Sequence, residues 1–141
     1  LLPRIASHGT RLCFEPLGPK DSDFLNRAAE MLDLVEALGR PAGLGIQLDA
    51  KALAENGELG ADLFDRVAGR LDHVHANEPG LGVVGEGGGA VDHALIGARL
   101  AAIGYDGWVS IEQRQLSEAD PLADVARSAA AVARCYGGGA A

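Results

Sequence analysis

The stretch LDHVHANEPGLG, residues 71–82, sets His73 and His75 two positions apart at the end of an apolar run. In an extended strand those two side chains face the same way. Three other stretches of similar build end on an acidic residue: RLCFEP (11–16) on Glu15, LGIQLDA (44–50) on Asp49 and GWVSIEQ (107–113) on Glu112. Carboxylates brought together repel one another and resist ionisation. A divalent cation removes that cost, and carboxylate oxygens with one imidazole suit Mn²⁺, Mg²⁺, Co²⁺ or Zn²⁺. An acidic residue at one strand end commonly caps the next helix. Four candidate ligands, Glu15, Asp49, His75 and Glu112, at matching places in four consecutive units point instead to a shared centre.

The elements between them must do the gathering. Each stretch is a short β-rich run, and helical patterns separate them. Residues 23–39 carry apolar side chains close to the 3.6 period, with Asp23 as candidate N-cap and Gly39 as stop. A shorter helix is expected over 61–70, another over 91–104 between Asp92 and Gly104, and an alanine-rich one over 120–137 opening on Asp120 and Pro121. The order β-α-β-α-β-α-β-α implies an α/β protein with a parallel sheet covered by helices. In such folds the C-terminal strand ends share one face, where active sites lie. The Gly-rich stretch 82–91 follows neither Rossmann nor P-loop spacing and reads as a flexible loop. The tail at 138–141 is expected to fray.

Composition narrows the functional classes. The chain has 141 residues, 48% hydrophobic and 23% charged, and a formal net charge of −8. That balance fits one globular domain and disfavours a nucleic-acid partner. Apolar runs are too short and interrupted for a bilayer span. Cys13 and Cys135 lie far apart without Cys-x-x-Cys spacing, so they read as thiols of a reducing compartment. The opening LLPRIASHGTRL lacks a signal-peptide layout. A cytoplasmic location is expected.

Several segments together resemble a known family: LCFEPLG, DFLNRAAEMLDLVEALGRPAGLGIQLDA, DHVHANEP and VDHALIGARLAAIGYDGWVSIEQR. They are similar to the C-terminal half of sugar phosphate isomerases and epimerases, the xylose isomerase-like (β/α)₈ TIM barrels. The likeness runs from about residue 10 to 137. It implies that Glu15, Asp49, His75 and Glu112 bind the divalent metal and that Glu15 and Glu112 act as acid and base. The implied reaction removes a proton beside a sugar carbonyl, passes through an enediolate and returns the proton elsewhere. Substrate contacts are expected from His73, Lys51, Glu78 and Arg114, although solvation is the plainer role for Lys51. His93 reads as a first-turn residue, and His8 has no evident partner. Two positions depart from the family pattern: Ala52 stands where many members have a substrate-binding histidine, and Leu81 where many have an arginine.

A full barrel of this type needs about 250 residues. Residues 1–141 supply four of the eight βα units, a half barrel whose first and last strands need partners. The N-terminal half barrel or a second chain would complete the fold, and a homo-oligomer is one such arrangement. A small sugar or sugar-like polyol is the expected substrate. Rival readings are an inosose-type dehydratase, a metal-dependent endonuclease-like hydrolase and a non-catalytic member of the fold.

Overall fold

The computed structural model describes residues 1–137; the tail at 138–141 lies outside the described residues. Helix α1 (Leu2–Ser7) precedes strand β1 (Leu12–Phe14), followed by α2 (Ala28–Ala37), β2 (Leu44–Asp49), α3 (Ala50–Glu55) and α4 (Ala61–Val67). Strand β3 (Leu71–Ala76), a 3₁₀ turn at Pro79–Leu81, α5 (His93–Ala102), β4 (Trp108–Ile111) and α6 (Pro121–Tyr136) complete the order. All four strands pair in parallel, in sequence order β1-β2-β3-β4. The result is an open α/β sheet of four βα units, as a half barrel requires.

Alternation along the strands sorts the two faces. Leu44, Ile46 and Leu48 of β2 and Val74 of β3 pack with Met31, Leu32 and Val35 of α2, Phe64 and Val67 of α4, and Ile96 and Leu100 of α5. A smaller cluster joins Ala76, Val84 and Ala131 of α6. The opposite face of β2 carries Gly45, Gln47 and Asp49. A register slip keeps β3 aligned with it: Ile46 pairs with Leu71 and Gln47 with His73, which leaves Asp72 with no residue opposite. That bulge lets Leu71 pack against the core while His73 and His75 face away from it. The Asp72 carboxylate fills the space at Gly45, accepts from the Ile46 N–H (3.3 Å) and from Arg11 Nη1 (2.8 Å), and leaves no room for a side chain at position 45.

The helix expected over 23–39 begins only at Ala28. Asp23 is not its cap. Leu25 adopts φ +53°, which ends any helical run there. Ser22 and Asn26 bond the local backbone instead, Ser22 Oγ accepting from Phe24 N–H and Asn26 Nδ2 donating to the carbonyls of Leu17 and Ser22. The α2 N-terminus is satisfied from a distance: the buried Glu58 carboxylate accepts from the N–H groups of Ala28 (2.9 Å) and Ala29 (3.3 Å). Glu58→Ala is therefore expected to cost about 2 kcal/mol, the size of a lost charge-assisted bond with donors left unpaired. Urea unfolding checks this, and a change below about 0.5 kcal/mol would refute it. Two short helices, α1 and α3, have no counterpart among the helices expected from the sequence. Asp92 and Asp120 do cap α5 and α6, accepting from the N–H groups of Leu95 and Ala123.

Candidate metal centre

The C-terminal ends of β1, β2 and β3 bring Glu15, Asp49 and His75 together. One ligand atom from each lies within 4.8 Å of the other two. Register explains the meeting: Asp49 is level with His75 across the β2–β3 ladder, and Glu15 follows β1 directly. His75 Nδ1 donates to Glu15 Oε1 (2.8 Å), and Gln47 Nε2 lies 3.1 Å from the same ring nitrogen. Glu112 extends the β3–β4 ladder, its N–H donating to the Ala76 carbonyl (3.1 Å). Its carboxylate stands beside the compact group, with Oε2 3.9 Å from His75 Nδ1. The structure thus groups three of the four expected ligands tightly and puts the fourth at their edge.

Asp49 is almost fully buried and uses both oxygens: Oδ1 accepts from Ala52 N–H (2.8 Å), capping α3, and Oδ2 accepts from Asn77 Nδ2 (2.6 Å). Burial pushes its carboxyl above the usual range; Ala52 and Asn77 oppose that, and the charges of Glu15 and Glu112 add to it. Burial also works against ionisation of Glu15. The hydrogen bond and charge of His75, with help from Gln47 and His73, outweigh it and hold Glu15 below the usual value. His75 is raised, chiefly by its bond to Glu15 and against its own burial. His73 packs edge-on against His75, ring centroids 5.3 Å apart, and burial followed by the His75 charge lowers it. Two carboxylates and an imidazole converging on one point, with Asp49 resisting ionisation, make a donor set that a divalent cation fits.

These shifts fix a pH response. Glu15, depressed, contributes stability above its ordinary 4.5 that is lost as pH falls through its folded value. His75, raised, contributes stability below its ordinary 6.5 that is lost as pH rises through its folded value. The pair's contribution is complete between those two values. In the presence of EDTA, wild-type Tm is expected to drop by about 3 °C more between pH 6 and 8.5 than that of Glu15→Gln. Parallel Tm curves for the two proteins would contradict the ion pair.

Of the remaining residues expected to contact substrate, Lys51 and Glu78 have protein partners of their own. Lys51 Nζ donates to Asp21 Oδ2 (2.5 Å), tying the β1–α2 loop to α3; burial opposes its charge, but Asp21 wins and raises it. Glu78 is not in the group: its buried Oε1 accepts from Gly85 N–H (2.9 Å) and from His93 Nε2 (3.1 Å), and His93 Nδ1 meets the Tyr136 hydroxyl at 2.6 Å. Glu78 is thus an anchor of the segment after β3, since a buried carboxylate is held only where donors reach it. His93, read as a plain first-turn residue, is buried in that anchor. Arg114 lies exposed just beyond Glu112. Gln47 and Asn77 escaped notice in the sequence, although an Asn directly after an apolar strand is a hint of a buried polar contact.

The description "Xylose isomerase-like TIM barrel" belongs to a family model that matches residues 1–135. The chain belongs to that family. A Streptomyces coelicolor protein bearing the provisional name hydroxypyruvate isomerase is 34% identical over 91 residues, 62% of this chain and 32% of the relative. Among solved structures, a D-psicose 3-epimerase determined in the presence of D-fructose superposes with a TM-score of 0.84 at 22% identity, over 97% of this chain and 53% of the other. An L-ribulose 3-epimerase gives 0.79 at 25% identity, over 94% and 49%. The chain thus spans between a third and about half of the length of these relatives. No helix among the described residues is long and apolar enough to cross a membrane.

Proposed function

We propose that this chain carries the cation-binding and proton-transfer half of a divalent-metal-dependent isomerase or epimerase acting on a small sugar or sugar-like polyol. The observation that supports it most is the convergence of Glu15, Asp49 and His75 at three neighbouring strand ends, with Glu112 beside them. The names of the relatives agree, since hydroxypyruvate, psicose and ribulose all carry a hydroxyl-bearing carbon next to a carbonyl.

In this reading Glu15, Asp49 and His75 hold the cation, Mn²⁺ foremost, and Glu112 reaches it as a fourth ligand. Bound there, the cation would offset the negative charge that develops on the substrate oxygens. Glu15 and Glu112, just past the ends of the first and fourth strands, would flank the substrate above β2 and β3. One removes the proton beside the carbonyl and the other returns it, to the neighbouring carbon for isomerisation or to the opposite face for epimerisation. His73, beside His75, and Arg114, two residues beyond Glu112, would touch the substrate hydroxyls in this reading. The test is a Mn²⁺ titration of the EDTA-treated chain, followed by exchange of solvent deuterium into ketoses by the completed barrel. Stoichiometric binding is expected; absence of both binding and exchange would end the proposal.

Completion comes from an N-terminal half barrel or a second chain. The free edges support this: Leu12 of β1 is 41% exposed and Trp108 of β4 81% exposed. Trp108 is the sole tryptophan, so its fluorescence reports on the β4 edge alone. Adding the complementing half is expected to shift its emission to the blue as the indole leaves water. An unchanged spectrum in a complex shown to form by gel filtration would place the junction elsewhere.

A further inference from the structure

Asn77 does something that neither a turn nor core packing requires. It is 1% exposed, and its side chain meets three partners from three elements. Nδ2 donates one hydrogen to Asp49 Oδ2 (2.6 Å) at the end of β2 and the other to Glu112 Oε2 (2.7 Å) beyond β4. Oδ1 accepts from the Lys51 N–H (2.9 Å) in the first turn of α3. The amide can only sit this way round, because a flip would aim its oxygen at two carboxylates and its NH₂ at a backbone donor.

The backbone on either side of Asn77 is also pinned. Ala76 is fully buried in β3, and Glu78 is locked by His93 and Gly85. The amide is therefore a rigid neutral donor wedged between two acids that would otherwise repel. It also accounts for the position of Glu112: one oxygen is tied to Asn77, which holds the carboxylate at the edge of the Glu15–Asp49–His75 group.

We infer that Asn77 is a positioning residue that sets the spacing and orientation of Asp49 and Glu112 for cation binding and proton transfer. This rests on the function proposed above, and the experiment separates the two. Mn²⁺ affinity is measured on the EDTA-treated chain for wild type, Asn77→Ala, Glu112→Ala and the double variant, with Asn77→Ser, which keeps one donor, used if Asn77→Ala does not fold. The expected loss on removing Asn77 is about 10–100-fold, as for other hydrogen-bond partners of metal ligands. Part of that loss should vanish in the Glu112→Ala background, because one of the two donated hydrogens acts through that carboxylate and the other through Asp49. An unchanged affinity, or an equal loss in both backgrounds, would overturn the inference.

A second readout needs no metal. In the metal-free protein the Asn77 side-chain NH₂ should give two slowly exchanging NMR signals, one of which is released in Glu112→Ala. If wild type binds no Mn²⁺ yet shows this pattern, the metal reading fails and the clamp stands. If the signals exchange freely, the clamp fails regardless of metal.

Discussion

His75→Ala is expected to weaken Mn²⁺ binding by about 100-fold or more, beyond the roughly 10–100-fold that loss of a ligand's hydrogen-bond partner costs. The imidazole is the only nitrogen donor in the group and stands at its centre, 2.8 Å from Glu15 Oε1 and 3.9 Å from Glu112 Oε2. Removing it also leaves partly buried carboxylates facing each other without a counter-charge, so the remaining ligands drift apart or take up protons. His73→Ala provides the control. That ring is one strand step away and touches His75 only edge-on, so its loss should change affinity by less than about 10-fold. Calorimetric titration of EDTA-treated proteins, each shown folded by circular dichroism, gives the answer. Equal affinities for wild type and His75→Ala would mean that the three strand ends do not form the binding centre.

How far the centre could be read beforehand depended on periodicity. A period of two tells which residues share a face, and parallel topology tells which ends meet, so the approach of Glu15, Asp49 and His75, with Glu112 beside them, is legible from types and spacing. What periodicity cannot tell is which oxygen faces which donor. Glu78 looks like a site residue because it lies just past the end of β3, yet its side chain turns to His93 while that of Asn77 turns to Asp49 and Glu112. Lys51 is near the site in sequence and in space, but the long β1–α2 loop returns with Asp21 and engages it first. Long-range pairs of this kind leave no trace in local pattern.

The fold shows the same division. Caps that act within their own turn, such as Asp92 and Asp120, follow from sequence. The cap of α2 does not, because Glu58 arrives from thirty positions downstream in chain order. Without it, Asp23 is the natural candidate and the helix reads five residues too long. The bulge at Asp72 is half legible: the consecutive polar pair Asp72 and His73 interrupts the apolar-polar alternation of β3, but the extra residue is placed only by the register of the neighbouring strand.

Glu112→Gln in the completed barrel should separate binding from chemistry. Glutamine is close in shape to glutamate and retains a carbonyl oxygen that can accept from Asn77, so the clamp and the outline of the group survive the change. What it lacks is a group that can take or give a proton at the substrate carbon. Positioned proton transfer contributes about 10²–10⁴-fold, and that is the expected loss in kcat and in solvent deuterium incorporation. Mn²⁺ affinity should fall by only about 10-fold, because Glu15, Asp49 and His75 remain. Glu15→Gln is the useful contrast. It removes a member of the compact group as well as an acid or base, so affinity and turnover should collapse together. If Glu112→Gln instead loses metal and activity in the same proportion as Glu15→Gln, Glu112 serves as a ligand without moving a proton. If it retains full deuterium exchange, proton transfer belongs to another residue, and Glu112 is held by Asn77 for the cation alone.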